Sequence, residues 1–264
     1  METIHLKTFE EFECKATKLL ERWEQDRKKR IGHFSLPIFR GQRAASWELK
    51  TTLERYTDKK YSPSDYYKLM KVVRPVIESC TGKSWHLPET YTSRVDPGPF
   101  QGYEFMVYLR HYGFPSPLLD WTRSFYIAAF FAFRYGLAAN RQEGDAAIFA
   151  FQEHRGQGKG GWGDEAAIQG WGPYIATDKR HFIQQCEYTV CTKKSNDKRV
   201  YCSHEETFAR NEENQDVLTK FIIPKTEQAK ALKRLRTMNI TEYSLFTTEE
   251  SLLSGLAYDE IVRT

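Results

Sequence analysis

Phe12, Ala16, Leu19, Leu20 and Trp23 recur at the three-to-four-residue spacing that lines one face of a helix. Thr8 stands just before Phe9-Glu10-Glu11-Phe12, a hydroxyl in the N-cap position followed by acidic first-turn residues. An amphipathic helix is therefore predicted over residues 9 to about 28. The basic run Arg27-Lys28-Lys29-Arg30 suits the negative end of that helix and reads as its terminus rather than as a nucleic-acid contact. Residues 1–30 form an N-terminal helical unit in this reading, with one domain over residues 31–264.

The pattern then changes period. Residues 35–39 read as a short strand closed by Gly41, after which Trp47, Leu49 and Leu53 lead into a polar turn near Thr57. A second helix is predicted to start at Ser64 and run to about Ser79. A Pro- and Gly-containing segment over 88–102 separates it from a helix over 103–112, which Pro115 and Pro117 end. Residues 118–122 are extended, and Ser124 caps an apolar helix reaching residue 135. Residues 146–151, 188–191 and 220–223 read as strands, 193–216 as a polar excursion with a short hairpin, and 225–238 as a helix. Seven of the sixteen glycines fall within residues 155–173, which are read as a mobile loop. Helices and strands mix without βαβ alternation, so the expected class is α+β: a single domain with a mixed, mostly antiparallel sheet flanked by helices.

Composition narrows the class only slightly. Hydrophobic residues at 40% and charged residues at 28% place the chain among folded globular proteins and exclude a disordered one. Lys and Arg exceed Asp and Glu by 39 − 35 = 4, which permits contact with nucleic acid but falls short of a dedicated binder. The five cysteines are scattered, and the opening Met-Glu-Thr-Ile-His lacks a signal-peptide pattern, so unpaired thiols in a reducing cytoplasm are expected. No apolar run is long enough to span a membrane. Cys186, Cys191, Cys202 and His204 match no metal-ligand spacing, and no metal is expected.

Three places concentrate chemistry. Arg40 ends a predicted strand and precedes Gly41; a guanidinium there offers a rigid fork to a phosphate or ribose, and glycine allows close approach. Taken alone, Arg40 reads as an ion-pair partner within the fold. His111-Tyr112-Gly113-Phe114-Pro115-Ser116-Pro117-Leu118-Leu119-Asp120-Trp121-Thr122 gathers polar and aromatic residues at an element junction, as a ligand wall does. Arg180-His181-Phe182-Ile183-Gln184-Gln185-Cys186-Glu187-Tyr188 leads into a strand. An amide or carboxylate there can hold a sugar hydroxyl, and a carboxylate can stabilise developing positive charge. Spacing does not choose among Gln184, Gln185 and Glu187.

At these places the chain resembles the FRG domain. The resemblance rests on Phe39-Arg40-Gly41-Gln42 with Trp47 and Leu49, on Leu118-Leu119-Asp120-Trp121-Thr122 with Ala128, Ala129 and Phe131-Ala132, and on Arg180 with Gln184-Gln185. Phe221-Ile222-Ile223-Pro224, Ile240-Thr241-Glu242 and Ser244-Leu245-Phe246 extend it over about residues 30–255. Where family members commonly carry Gly after the Gln-Gln pair, this chain has Cys186.

The motif order is also similar to that of ADP-ribosyltransferases using NAD as co-substrate. By that likeness Arg40, Gln184 and Glu187 are the candidate catalytic residues. Arg40, Gly41, His111, Tyr112, Asp120, Trp121, Thr122 and Ser124 are the candidate NAD-binding set, with Tyr112 or Trp121 stacking the nicotinamide. The implied acceptor is a macromolecule, nucleic acid before protein, in a toxin of phage defence or of a toxin-antitoxin pair with its antitoxin. NAD hydrolysis and a non-catalytic nucleotide-binding module are the alternatives. Lys225, Lys230, Lys233, Arg234 and Arg236 on one late helix are the cations that could meet nucleic acid.

Overall fold

The structure, a computed structural model, describes residues 1–29, 32–92, 100–134, 144–156, 158–160, 164–172, 175 and 177–262. Arg30, Gly161, Gly163, Pro173 and the predicted helix end at Tyr135 lie outside the described residues. Strands β1 (Glu2–His5), β2 (Ile38–Gln42), β3 (Leu119–Thr122), β4 (Ala146–His154), β5 (Ala167–Trp171), β6 (Cys186–Ser195), β7 (Lys198–Tyr201) and β8 (Gln215–Ile223) form one sheet. Its order is β1-β8-β4-β2-β3-β6-β5, with β7 paired to β6. The β1–β8 pair is parallel and the others are antiparallel, which is the mixed, mostly antiparallel α+β architecture the pattern predicts.

Helices cover the sheet in two groups. The first packs α1 (Phe9–Lys28), α5 (Phe125–Phe133) and α8 (Gln228–Thr237) over one face. Its core holds Phe9, Phe12 and Ala16 of α1, Phe39 of β2, Ala128 and Ala132 of α5, and Leu235 of α8. The Thr8 cap is present, its side chain accepting from the Glu11 amide. The second group packs α3 (Pro63–Thr81) and α4 (Tyr103–His111) around Tyr66, Tyr67, Phe105, Leu118 and Tyr188. Shorter helices α2 (Thr52–Tyr56), α6 (Lys179–Ile183), α7 (His204–Phe208), α9 (Glu242–Phe246) and α10 (Glu249–Ala257) close the edges. Among the described residues no helix is long and apolar enough to cross a membrane.

Several local expectations change. Strand β2 starts at Ile38 and continues through Gln42, so Arg40 sits in mid-strand and Gly41 does not close it. Ser62, not Ser64, caps α3, with Pro63 at the first helical position. The glycine-rich segment read as a loop contains β5, whose Ala167 to Trp171 pair with Thr192 to Tyr188 of β6. Sheet edges tolerate Gly170 because its amide donates to Glu153 Oε2 at 3.0 Å. The polar excursion holds the β6–β7 hairpin and also α7. The basic face of α8 is largely neutralised: Lys230 pairs with Glu10, Arg234 with Glu13 and Arg236 with Asp259.

Candidate functional site

Strands β2 and β3 meet at a single register pair, Phe39 with Thr122, whereas β2 pairs with β4 over five. The sheet splays beside that one bridge. A pocket of about 100 Å³ opens there, lined by Phe39, Arg40, Gly41, Asp120, Trp121, Thr122, Phe131, Gln184 and Cys186. The three motif regions are thus one place in space. A larger cleft of about 490 Å³, lined in part by Arg22, Asp26, Arg155 and Asp216, holds none of the motif residues.

Asp120 organises the pocket. Arg40 Nη1 donates to its main-chain oxygen at 2.7 Å and to its Oδ1 at 2.8 Å, and Arg110 Nη2 from the end of α4 donates to the same Oδ1. Burial works to raise the Asp120 pKa, but the Arg110 and Arg40 guanidiniums outweigh it and hold the carboxyl well below the usual carboxylate range. One carboxylate serving two guanidiniums leaves net positive charge. Arg40 Nε and Arg110 Nε are both buried without a hydrogen-bond partner. Local sequence signals did not mark Arg110, because its contribution comes from projecting across to β3.

Gly41 is explained by packing. A Cβ there would lie 1.9 Å from the Ala128 carbonyl oxygen and 2.6 Å from the Ala132 amide nitrogen, so the close approach is that of the α5 backbone to β2. Ser124 is the α5 cap, accepting from the Ile127 amide at 3.3 Å, and Thr122 Oγ1 accepts from the Ser124 amide. Trp121 is buried, its Nε1 donating to Thr189 Oγ1 at 2.8 Å, and Thr189 Oγ1 is 2.9 Å from His204 Nε2. That ring packs 5.3 Å from Phe151 in the core, which leaves Phe131 as the apolar aromatic of the splayed opening.

The β6 end is built from α6. Gln184 caps α6 and donates Nε2 to the Leu245 carbonyl at 3.0 Å, tying the pocket wall to α9. Gln185 is exposed with a left-handed φ of 50°, turning the chain from α6 into β6. Glu187 does not line the pocket. In register it faces Trp121 and so shares that side chain's sheet face, opposite to Cys186 and Thr122, yet unlike Trp121 it is not part of the pocket lining. Burial raises its pKa, and Arg123 opposes that through a hydrogen bond from Nε at 2.6 Å.

His111 sits next to the pocket rather than in its lining, its Nε2 2.6 Å from Tyr188 Oη, which also lies 3.1 Å from His181 Nδ1. Burial lowers the His111 pKa to about 4, so the ring is neutral at pH 7. The donor atoms of His111, His181 and Cys186 lie within 4.8 Å of one another. The Tyr188 hydroxyl already occupies the space between the two imidazoles, and Arg110 and Arg180 add positive charge that opposes a cation there. Tyr112 is exposed at the rim, its hydroxyl donating to Asp178 Oδ2 at 2.8 Å.

An α+β sheet opened at one strand pair, with arginines gathered at the opening, is a fold suited to holding an anionic ligand. Residues 35–141, which run from β2 through α5, match the FRG domain. The β6 wall of the pocket lies beyond the matched residues. No curated protein and no solved structure matches the chain.

Proposed function

We propose that the FRG domain binds NAD at the splayed β2–β3 junction and transfers its ADP-ribose to a macromolecule, nucleic acid in preference to protein. The supporting observation is the convergence of Arg40 and Arg110 on one carboxylate, which leaves a surplus of guanidinium charge beside an open pocket. A diphosphate is a fitting counter-charge for that surplus. A pocket of about 100 Å³ takes one end of a dinucleotide, with the remainder lying over the rim.

In this reading Arg40 and Arg110 hold the diphosphate, Phe131 faces a ring, and Gln184 Oε1 accepts from a ribose hydroxyl. The nicotinamide-ribose bond breaks with its electron pair leaving on nicotinamide, and the acceptor's nucleophile bonds to the ribose carbon as its proton passes to solvent water. The site's work is positioning and charge stabilisation. An enzyme that drains NAD and marks a macromolecule is toxic when unrestrained, in keeping with a toxin role and a protein inhibitor.

A second reading has one observation in its favour. Asp120 is tied up, Gln184 cannot act as a base, and Glu187 is paired with Arg123 and is not part of the lining, so the pocket lining offers no free base. A nucleotide-binding module without turnover fits that arrangement. Incubating the chain with adenine-labelled NAD and cell extract separates the readings. Nicotinamide release with label in nucleic acid or protein supports transfer; release with free ADP-ribose alone identifies a hydrolase. No release, with retained NAD binding, leaves the binding module.

A further inference from the structure

Beside the pocket, α6 presents features that folding alone does not require. Phe182 is 63% exposed, and Ile183 and Tyr112 are also exposed, although Phe182 follows the buried His181 and Ile183 precedes the buried Gln184. Gln184, immediately after Ile183, lines the pocket, so this surface is its rim. Arg180 stands between the aromatics, its guanidinium 5.7 Å from the Tyr112 ring and 5.4 Å from the Phe246 ring, with a buried Nε that has no hydrogen-bond partner among the described residues. Lys83 lies 5.7 Å from the Tyr112 ring centre. Lys179 is exposed and makes no ion pair among the described residues. Against these three cations stands Asp178, already used by the Tyr112 hydroxyl and the Arg180 amide.

We infer that this rim is a binding surface for single-stranded nucleic acid. Unstacked bases present two apolar faces that exposed Tyr and Phe rings can cover, and the linked phosphates match the cationic surplus of Lys83, Lys179 and Arg180. Duplex bases are already stacked on each other and offer no such faces. A protein partner would use the apolar side chains but has no general reason to meet three cations. The inference rests on the proposed transfer reaction only in making this strand the acceptor; binding itself requires no NAD. The α8 face, whose basic residues are paired with Glu10, Glu13 and Asp259, is not needed for it.

The test is fluorescence anisotropy of dye-labelled single-stranded RNA and DNA with the full chain, without NAD, across a salt series. The expected result is saturable binding that weakens as salt rises, is stronger for single strands than for the matching duplex, and falls about tenfold in Phe182→Ala. Lys179→Glu should weaken it further and flatten the salt dependence. Both side chains are exposed, and circular dichroism checks that each variant is folded. Equal binding by Phe182→Ala, or no preference over duplex, overturns the inference. Failure of the NAD reading would show separately, as absent nicotinamide release with strand binding intact.

Discussion

Arg40 reaches from β2 to β3 and grips Asp120 twice, at its main-chain oxygen and at its carboxylate. The grip spans the place where the two strands share only the Phe39–Thr122 pair, so a side chain supplies a tie that the backbone ladder lacks. Arg110 adds a second hold on the same carboxylate oxygen. The residues proposed to bind the anion therefore also brace the opening.

Asp120→Asn should test that double role. Losing the carboxylate leaves two guanidiniums facing each other with an amide oxygen between them. Breaking a buried pair costs about 3–5 kcal/mol, and Asp120 keeps 40% of its side chain exposed, so a loss nearer about 1–2 kcal/mol is expected. Urea denaturation followed by circular dichroism measures it. Phosphate or pyrophosphate added to the variant should recover part of the loss by replacing the missing charge; no recovery would count against an anion site.

Arg40→Lys separates charge from geometry. Lysine keeps the positive charge but cannot present a planar fork to two oxygens. NAD turnover is expected to fall at least about tenfold while folding is retained, corresponding to the loss of about one charge-assisted hydrogen bond. Nicotinamide release measures the first, and the melting curve checks the second.

Gly41→Ala should destabilise the chain through packing. Its Cβ would meet the α5 backbone at 1.9 Å, and neither a strand nor a helix backbone can yield cheaply. A loss of about 1–3 kcal/mol, or failure to fold, is expected. Gly144→Ala, where nothing lies within 4 Å, is the control and should change stability by less than about 1 kcal/mol. Equal effects at the two positions would dismiss the packing account.

These positions show what the sequence could and could not reveal. The α1 helix was legible because Thr8 and the apolar spacing act locally, and the Leu118 to Thr122 run was legible as extended for the same reason. Strand β5 was hidden because its glycine and neighbouring loop residues have no strand preference; pairing with β6 supplies the order. Gly41 read as a ligand approach because its true neighbour, the α5 backbone, is about ninety residues away in sequence. Arg110 escaped notice, and Phe131 was read only as part of the family resemblance and given no place in the site, because a helix-borne residue declares its site only after the helix is docked. Glu187 stood near Gln184 in sequence, yet strand alternation sets it opposite Cys186, where it pairs with Arg123 instead of lining the pocket.

Acidification should weaken the fold through two histidines. Burial lowers the His111 pKa to about 4 and that of His204 to about 3, while the unfolded chain titrates near 6.5. Both are neutral when folded, so the unfolded state binds more protons below pH about 6.5 and stability falls as pH drops. Each histidine contributes a slope of about 1.4 kcal/mol per pH unit between its unfolded and folded values. Asp120, held low by two arginines, adds a further loss below pH about 4, as the unfolded carboxylate takes up protons first. Denaturation midpoints from pH 7.5 to 5 should show the histidine slope, and His204→Gln should remove about half of it.

Gln184 and Glu187 divide the remaining question of the catalytic side chain. Gln184→Ala loses its hydrogen bond to the Leu245 carbonyl and loosens the pocket wall against α9, so a stability loss of about 1–2 kcal/mol and a rise in the KM for NAD are expected. Glu187→Gln keeps the shape and breaks the charge pair with Arg123 outside the pocket lining. If pocket chemistry is confined to the residues that line it, this variant keeps kcat within about threefold of the parent chain. A kcat loss of a hundredfold or more with unchanged melting would instead make Glu187 the catalytic group and require the β6 start to turn over when NAD binds. Single-turnover nicotinamide release, run on both variants beside their melting curves, distinguishes the two outcomes.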